Sequence, residues 1–228
     1  LLASQENNYE SIKILIEANA DVNLKSKHGY TPLMASVAKF NSIDAAHLLI
    51  KSGAEINVQD IRGVSPLMLA AQQNFGSMVL LLLENGANPN LTSIEGYNSL
   101  HLPSELGHEN IVKILLQTDV NINHQDKDGD TPLMIASYHG FKNIIQILLK
   151  KNADLNLQNK KGDTALMKAA YGNHFEVVRL LVEKGAKLNI TSKDNYSALA
   201  FSMSKNNKEM TTYLINAGEN RIPLKANE

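Results

Sequence analysis

Residues 127–159 read KDGDTPLMIASYHGFKNIIQILLKKNADLNLQN, and this 33-residue stretch decides the fold. Gly129 stands where a tight turn needs positive φ, a conformation that costs glycine no clash. Thr131 is a good N-cap, and Pro132 suits the first helical position, where its missing N–H has no bond to lose. The spacing predicts a short helix to about His139, broken by Gly140. A second helix carries Ile144, Ile145, Ile147, Leu148 and Leu149. Its apolar residues occupy more than one face, so it must be covered on several sides. Asn152 can take the left-handed cap that ends it, and Leu155-Asn156 leads through an extended segment into the next turn.

The stretch recurs. Its opening phrase appears as Thr31-Pro32-Leu33, Ser65-Pro66-Leu67, Asn98-Ser99-Leu100, Thr131-Pro132-Leu133, Thr164-Ala165-Leu166 and Ser197-Ala198-Leu199; the first step is 34 residues and each later one 33. A fixed period in this range marks stacked repeats, because one such unit cannot bury its apolar face alone. We divide the chain into a partial unit 1–26, units 27–60, 61–93, 94–126, 127–159, 160–192 and 193–222, and a tail 223–228, all in one domain. The last helix, around Lys208–Tyr213, is more polar than its counterparts, as an end unit with one wet face requires. Leu1, Leu2, Ile12, Leu15 and Ile16 are expected to pack forward onto the second unit. A chain that begins inside a repeat, without methionine, reads as an excised fragment.

The unit resembles the ankyrin repeat, whose signature runs Gly-x-Thr-Pro-Leu-His, Ala-Ala, Gly-His, Val-Val-x-Leu-Leu and Gly-Ala-Asp-Val-Asn. Asn23, Asn57, Asn90, Asn123, Asn156 and Asn189 hold the closing asparagine. Gly53, Gly86, Gly185 and Gly218 hold the helix-ending glycine, replaced by Asn19, Asp119 and Asn152 elsewhere. The resemblance implies an all-α fold: an ankyrin-repeat solenoid of about seven helix-turn-helix units with hairpin-like fingers.

Three departures from the pattern stand out. Met34, Met68, Met134, Met167 and Ala200 replace the signature histidine, which only His101 keeps. We read the methionines as core filler, since methionine adapts to irregular gaps. Pro103 falls inside the first helix of the fourth unit, where it should bend or shorten that helix and shift the finger at Ile94–Tyr97. One extra residue lies between Val37 and Asn41.

Composition excludes several functions. Net charge is −1 and the isoelectric point near 6.7, so no global field draws nucleic acid or anionic lipid. The absence of cysteine removes disulfides and thiolate chemistry. The longest clean apolar run, Met78–Leu83, is too short to span a membrane. The histidines lack metal-ligand spacing with a third ligand. Asp126–Asp130 lacks the phase of a calcium loop and reads as a polar turn. No catalytic residue, cofactor or metal site is expected, no nucleic-acid partner and no membrane insertion.

Ankyrin repeats usually meet partners at the finger tips and the exposed side of the first helices, the concave face. Carried onto this chain, that resemblance gives Tyr30, Ile61, Arg62, Val64, Ile94, Tyr97, Leu106, Tyr138, His139, Tyr171 and Tyr196 as partner-binding residues. Lys39 also falls on a helix position of this face. Tyrosine and arginine are favoured interface anchors. The function expected is a non-catalytic protein–protein interaction scaffold. The alternative is the targeting module of a larger enzyme, such as a bacterial effector. The location expected is cytoplasmic, or host cytoplasm for a secreted effector.

Overall fold

The computed structural model describes residues 1–38 and 41–219. Among them are fourteen helices and no strand. They fall into two compact units that divide between residues 121 and 122.

The first unit holds α1 (Leu2–Gln5), α2 (Tyr9–Glu17), α3 (Pro32–Ala38), α4 (Ile43–Lys51), α5 (Pro66–Gln72), α6 (Gly76–Glu84), α7 (His101–Leu106) and α8 (Glu109–Leu115). The second holds α9 (Pro132–His139), α10 (Lys142–Lys150), α11 (Ala165–Tyr171), α12 (Phe175–Glu183), α13 (Ala198–Ser204) and α14 (Lys208–Glu219). Each odd-numbered helix pairs with the even one after it, and each pair packs on the next within its unit. Helices of four to twelve residues would not persist alone in water, so packing holds them.

Side-chain caps start the first helices. Ser65 Oγ accepts from Met68 N–H at 3.3 Å, and Thr131 Oγ1 accepts from Met134 N–H at 3.3 Å. The leucine of the phrase is wholly buried at Leu33, Leu67, Leu100, Leu133 and Leu166. Met34, Met68, Met134 and Met167 are buried beside it, as the core reading requires.

The closing asparagines join one repeat to the next. Asn57 Nδ2 donates to the Gly86 carbonyl at 3.1 Å while its Oδ1 accepts from Asn88 N–H at 2.8 Å. Asn23 and Asn90 do the same. In the second unit, Asn123 accepts from Asp154 N–H and Asn156 from Lys187 N–H. One amide side chain supplies both a donor and an acceptor to a loop that no helix or sheet could satisfy.

The fingers are built by another repeated device. Asp126 Oδ1 accepts from Asp128 N–H at 2.9 Å and Asp130 N–H at 2.8 Å, closing the turn on itself. Gly129 and Gly162 each have φ +81°, and a Cβ on either would lie 2.8 Å from the backbone nitrogen of the next finger. That approach carries hydrogen bonds: Lys160 N–H donates to the Asp128 carbonyl, and Lys193 N–H to the Lys161 carbonyl.

Three expectations need correction, the first in part. Of the effects expected of Pro103, a shorter helix is found and a shifted finger is not. Helix α7 starts at His101, two residues later in register than α9, so Pro103 is its third residue and its absent N–H falls among the unbonded amides of the first turn. The helix is shorter, but the finger at Ile94–Tyr97 is not displaced. Ser93 N–H donates to the Tyr97 carbonyl and Ile94 N–H to the Arg62 carbonyl, the pattern of the finger before it. Gly218 lies within α14 and does not end it. Of the five residues expected to pack forward from the first pair, Ile12 is buried and Leu1 and Ile16 are half-buried, whereas Leu2 and Leu15 are exposed. The extra residue between Val37 and Asn41 involves residues 39 and 40, and Lys39 with them lies outside the described residues, as does the tail 223–228.

Candidate functional site

Finger tips and the exposed side of the first helices carry every expected partner-binding residue. In the first unit Arg62 and Tyr97 are already engaged. Arg62 turns back on the buried Asp60, with Nη2 at 3.0 Å and Nε at 3.2 Å from Oδ2. Tyr97 is half-buried and stacks on His101 with centroids 5.1 Å apart. Tyr30 and Val64 are half-buried in their fingers. Ile61, Ile94 and Leu106 stand exposed.

In the second unit the rings meet one another. Tyr138 on α9 and Tyr171 on α11 are 33 residues apart, so they hold one register position in successive pairs. Their rings stack with centroids 6.1 Å apart and planes 20° from parallel. Phe201 on α13 meets Tyr171 edge-on at 5.6 Å, and Tyr196 stacks on Phe201 at 5.5 Å. Lys205 Nζ sits 4.1 Å above the Tyr171 ring. His139 meets Tyr138 edge-on at 5.1 Å. Tyr138, Tyr171 and Tyr196 nevertheless keep 43%, 47% and 50% of their surface exposed. Together with Phe201, Asp163 and Asp194 they line an open groove of about 400 Å³.

Phe201 was missed by sequence reasoning. The tyrosine slot of its pair is Ser204, and Phe201 lies one helical turn before it, on the same face. The charges were legible by type but not by pairing. Lys168 Nζ lies 2.8 Å from Asp130 Oδ2, and Asn159 Nδ2 donates to Asp130 Oδ1 at 2.7 Å. Burial pushes the Asp163 carboxyl above its ordinary value, against the opposing pull of Lys168.

No group of three or more acidic or histidine residues could hold a metal among the described residues. The Asp126 carboxylate is occupied by finger amides, and burial raises its titration, which fits the polar-turn reading. No described helix is long and apolar enough to cross a membrane.

Repeated helix pairs that hold fingers in register define a helical-repeat binding scaffold. A model of the family described as ankyrin repeats (3 copies) matches residues 1–93, 67–159 and 148–224. The chain belongs to the ankyrin-repeat family, and its fold is an all-α ankyrin-repeat solenoid. Ankyrin repeats are in general protein–protein interaction modules and non-catalytic scaffolds. No curated protein was found to match the chain.

Proposed function

We propose that this chain is a non-catalytic scaffold that binds a partner protein or peptide with its fingers and first helices, the concave face of the family's arrangement. The observation that carries this reading is the aromatic run Tyr138–Tyr171–Phe201–Tyr196. Three of its rings are about half exposed, and the four line an open groove. Rings already held by stacking lose little conformational freedom on binding, so their buried area converts efficiently to affinity. His139 extends this surface in the second unit. Tyr30, Ile61, Arg62, Val64, Ile94, Tyr97 and Leu106 form the corresponding surface of the first. Finger charges are mixed, with Lys127, Lys160 and Lys193 interspersed among Asp128, Asp130 and Asp163. That argues against nucleic acid, which needs a basic stripe, and suits a protein partner with a polar rim.

The test is affinity capture with the full chain, repeated with Tyr138→Ala/Tyr171→Ala and with Lys150→Ala on α10 as a control. A partner retained by the chain and the control should be lost to the double variant, with affinity lowered about a hundredfold, as for a hot-spot pair. Circular dichroism should show the double variant folded. A double variant that binds normally, or one that unfolds, contradicts the assignment.

A further inference from the structure

Successive repeats place one motif in two different states. Asp130 lies on the inner side of one finger and is met by Lys168, from the first helix of the next pair, at 2.8 Å. One repeat later the same finger position is Asp163, and the position equivalent to Lys168, 33 residues on, is Phe201. Asp163 therefore keeps its place while the residue equivalent to its neighbour's ion-pair partner is a ring. The ring adds to a cluster: Tyr171, Tyr196 and Phe201 line the groove that Asp163 also lines. No ion pair to Asp163 or Asp194 is found within 4.0 Å among the described residues. Lys168 and Lys161 also line the groove and pull on the Asp163 carboxylate from beyond that distance, but Lys168 Nζ is bonded to Asp130 and Lys161 stands exposed at the finger tip.

We infer that this groove takes a cationic side chain, an arginine of a partner segment, with its guanidinium on Asp163 and its plane against the rings of Tyr171, Tyr196 and Phe201. The inference rests on the scaffold reading and names the chemistry of its partner. Two observations favour a cation. Lys205 Nζ already sits 4.1 Å above the Tyr171 ring, so this aromatic surface holds a positive charge. Burial disfavours the Asp163 carboxylate, a cost that an incoming cation offsets. Arginine suits the site better than lysine because its planar fork can stack on a ring and pair with a carboxylate together.

The experiment is an NMR titration of the full chain with acetyl-Gly-Arg-Gly-amide and with the same peptide carrying citrulline, the neutral isostere. The arginine peptide should shift the signals of Asp163, Tyr171, Tyr196 and Phe201, and the citrulline peptide should bind about tenfold more weakly or worse, having lost the charge-assisted pair. Asp163→Asn should weaken the arginine peptide by a similar factor. Phe201→Lys, which restores the residue type that pairs with Asp130, should abolish its binding; should that variant fail to fold, Asp163→Asn and the citrulline peptide carry the test. Equal binding of the two peptides, indifference of Asp163→Asn, or shifts confined to other faces would overturn the inference. If the arginine peptide fails while partner capture still depends on Tyr138 and Tyr171, the cation is wrong and the scaffold stands. If the peptide binds as expected while capture ignores those tyrosines, the docking face of the scaffold is wrong and the groove chemistry stands.

Discussion

The fingers of residues 1–121 and those of 122–228 share one backbone plan but present different chemistry. In the first set the polar side chains are spent locally, Arg62 on Asp60 and Tyr97 on His101, leaving Ile61 and Ile94 as exposed tips. In the second set the rings meet across successive pairs, and one carboxylate, Asp163, lacks the direct ion pair its neighbour has. The repeat backbone fixes where a side chain stands. The identity of the residue 33 positions away decides whether it is satisfied there or left for a partner.

The contrast between interior and end gives the largest expected effect. Leu148 on α10 and Leu15 on α2 each precede a closing asparagine by eight residues. Leu148 is fully buried and Leu15 is 47% exposed. Leu148→Ala should lower stability by about 2–5 kcal/mol, and Leu15→Ala by less than ~1 kcal/mol, measured by urea denaturation. Hydrogen exchange should also be faster in α2 than in α10. Equal costs would mean that Leu15 is covered in solution.

The next effect compares the two finger sets as binding surfaces. Tyr171→Ala should cost partner affinity about 2 kcal/mol, whereas Ile61→Ala or Ile94→Ala should cost less than ~1 kcal/mol each. Calorimetry with the captured partner gives both numbers. A reversal of the order would move the main anchor to residues 1–121.

Smaller, and opposite in sign, are the effects of neutralising the two equivalent aspartates. Asp130→Asn strands the largely buried Lys168 and should destabilise by about 1–2 kcal/mol. Asp163→Asn should raise the melting temperature at pH 7. Burial lifts the folded-state pKa of Asp163 above its ordinary 3.8, so ionisation costs the folded state stability once the pH rises through that ordinary value. Below 3.8 both states are protonated, and the gain should vanish in melts at pH 3. A loss of stability at pH 7 would mean that the pull of Lys168 and Lys161 on Asp163 outweighs its burial.

Much of this was legible in the sequence. The Thr-Pro-Leu phrase, the closing asparagines and the glycine turns are local signals at a fixed period, so helix α9 came out at the length expected. The stacking of Tyr138 on Tyr171 followed from the same 33-residue step. Phe201 did not, because it reaches Tyr171 from a position one turn off the tyrosine slot. Pro103 misled for a different reason. Its cost depends on where the helix begins, and Asn98 holds the chain in a turn until His101, accepting from Leu100 N–H at 3.1 Å. At the first pair, the apolar spacing of Leu2 and Leu15 shows a face that could be buried but says nothing of what is there to bury it.

The most direct test of the account is hydrogen–deuterium exchange of the full chain with and without the captured partner. Binding through the proposed surface should slow exchange at the fingers 160–163 and 193–196 and in α11 and α13, and leave α10 and α12 unchanged. Protection confined to α10 and α12, with the fingers exchanging as in the free chain, would contradict it.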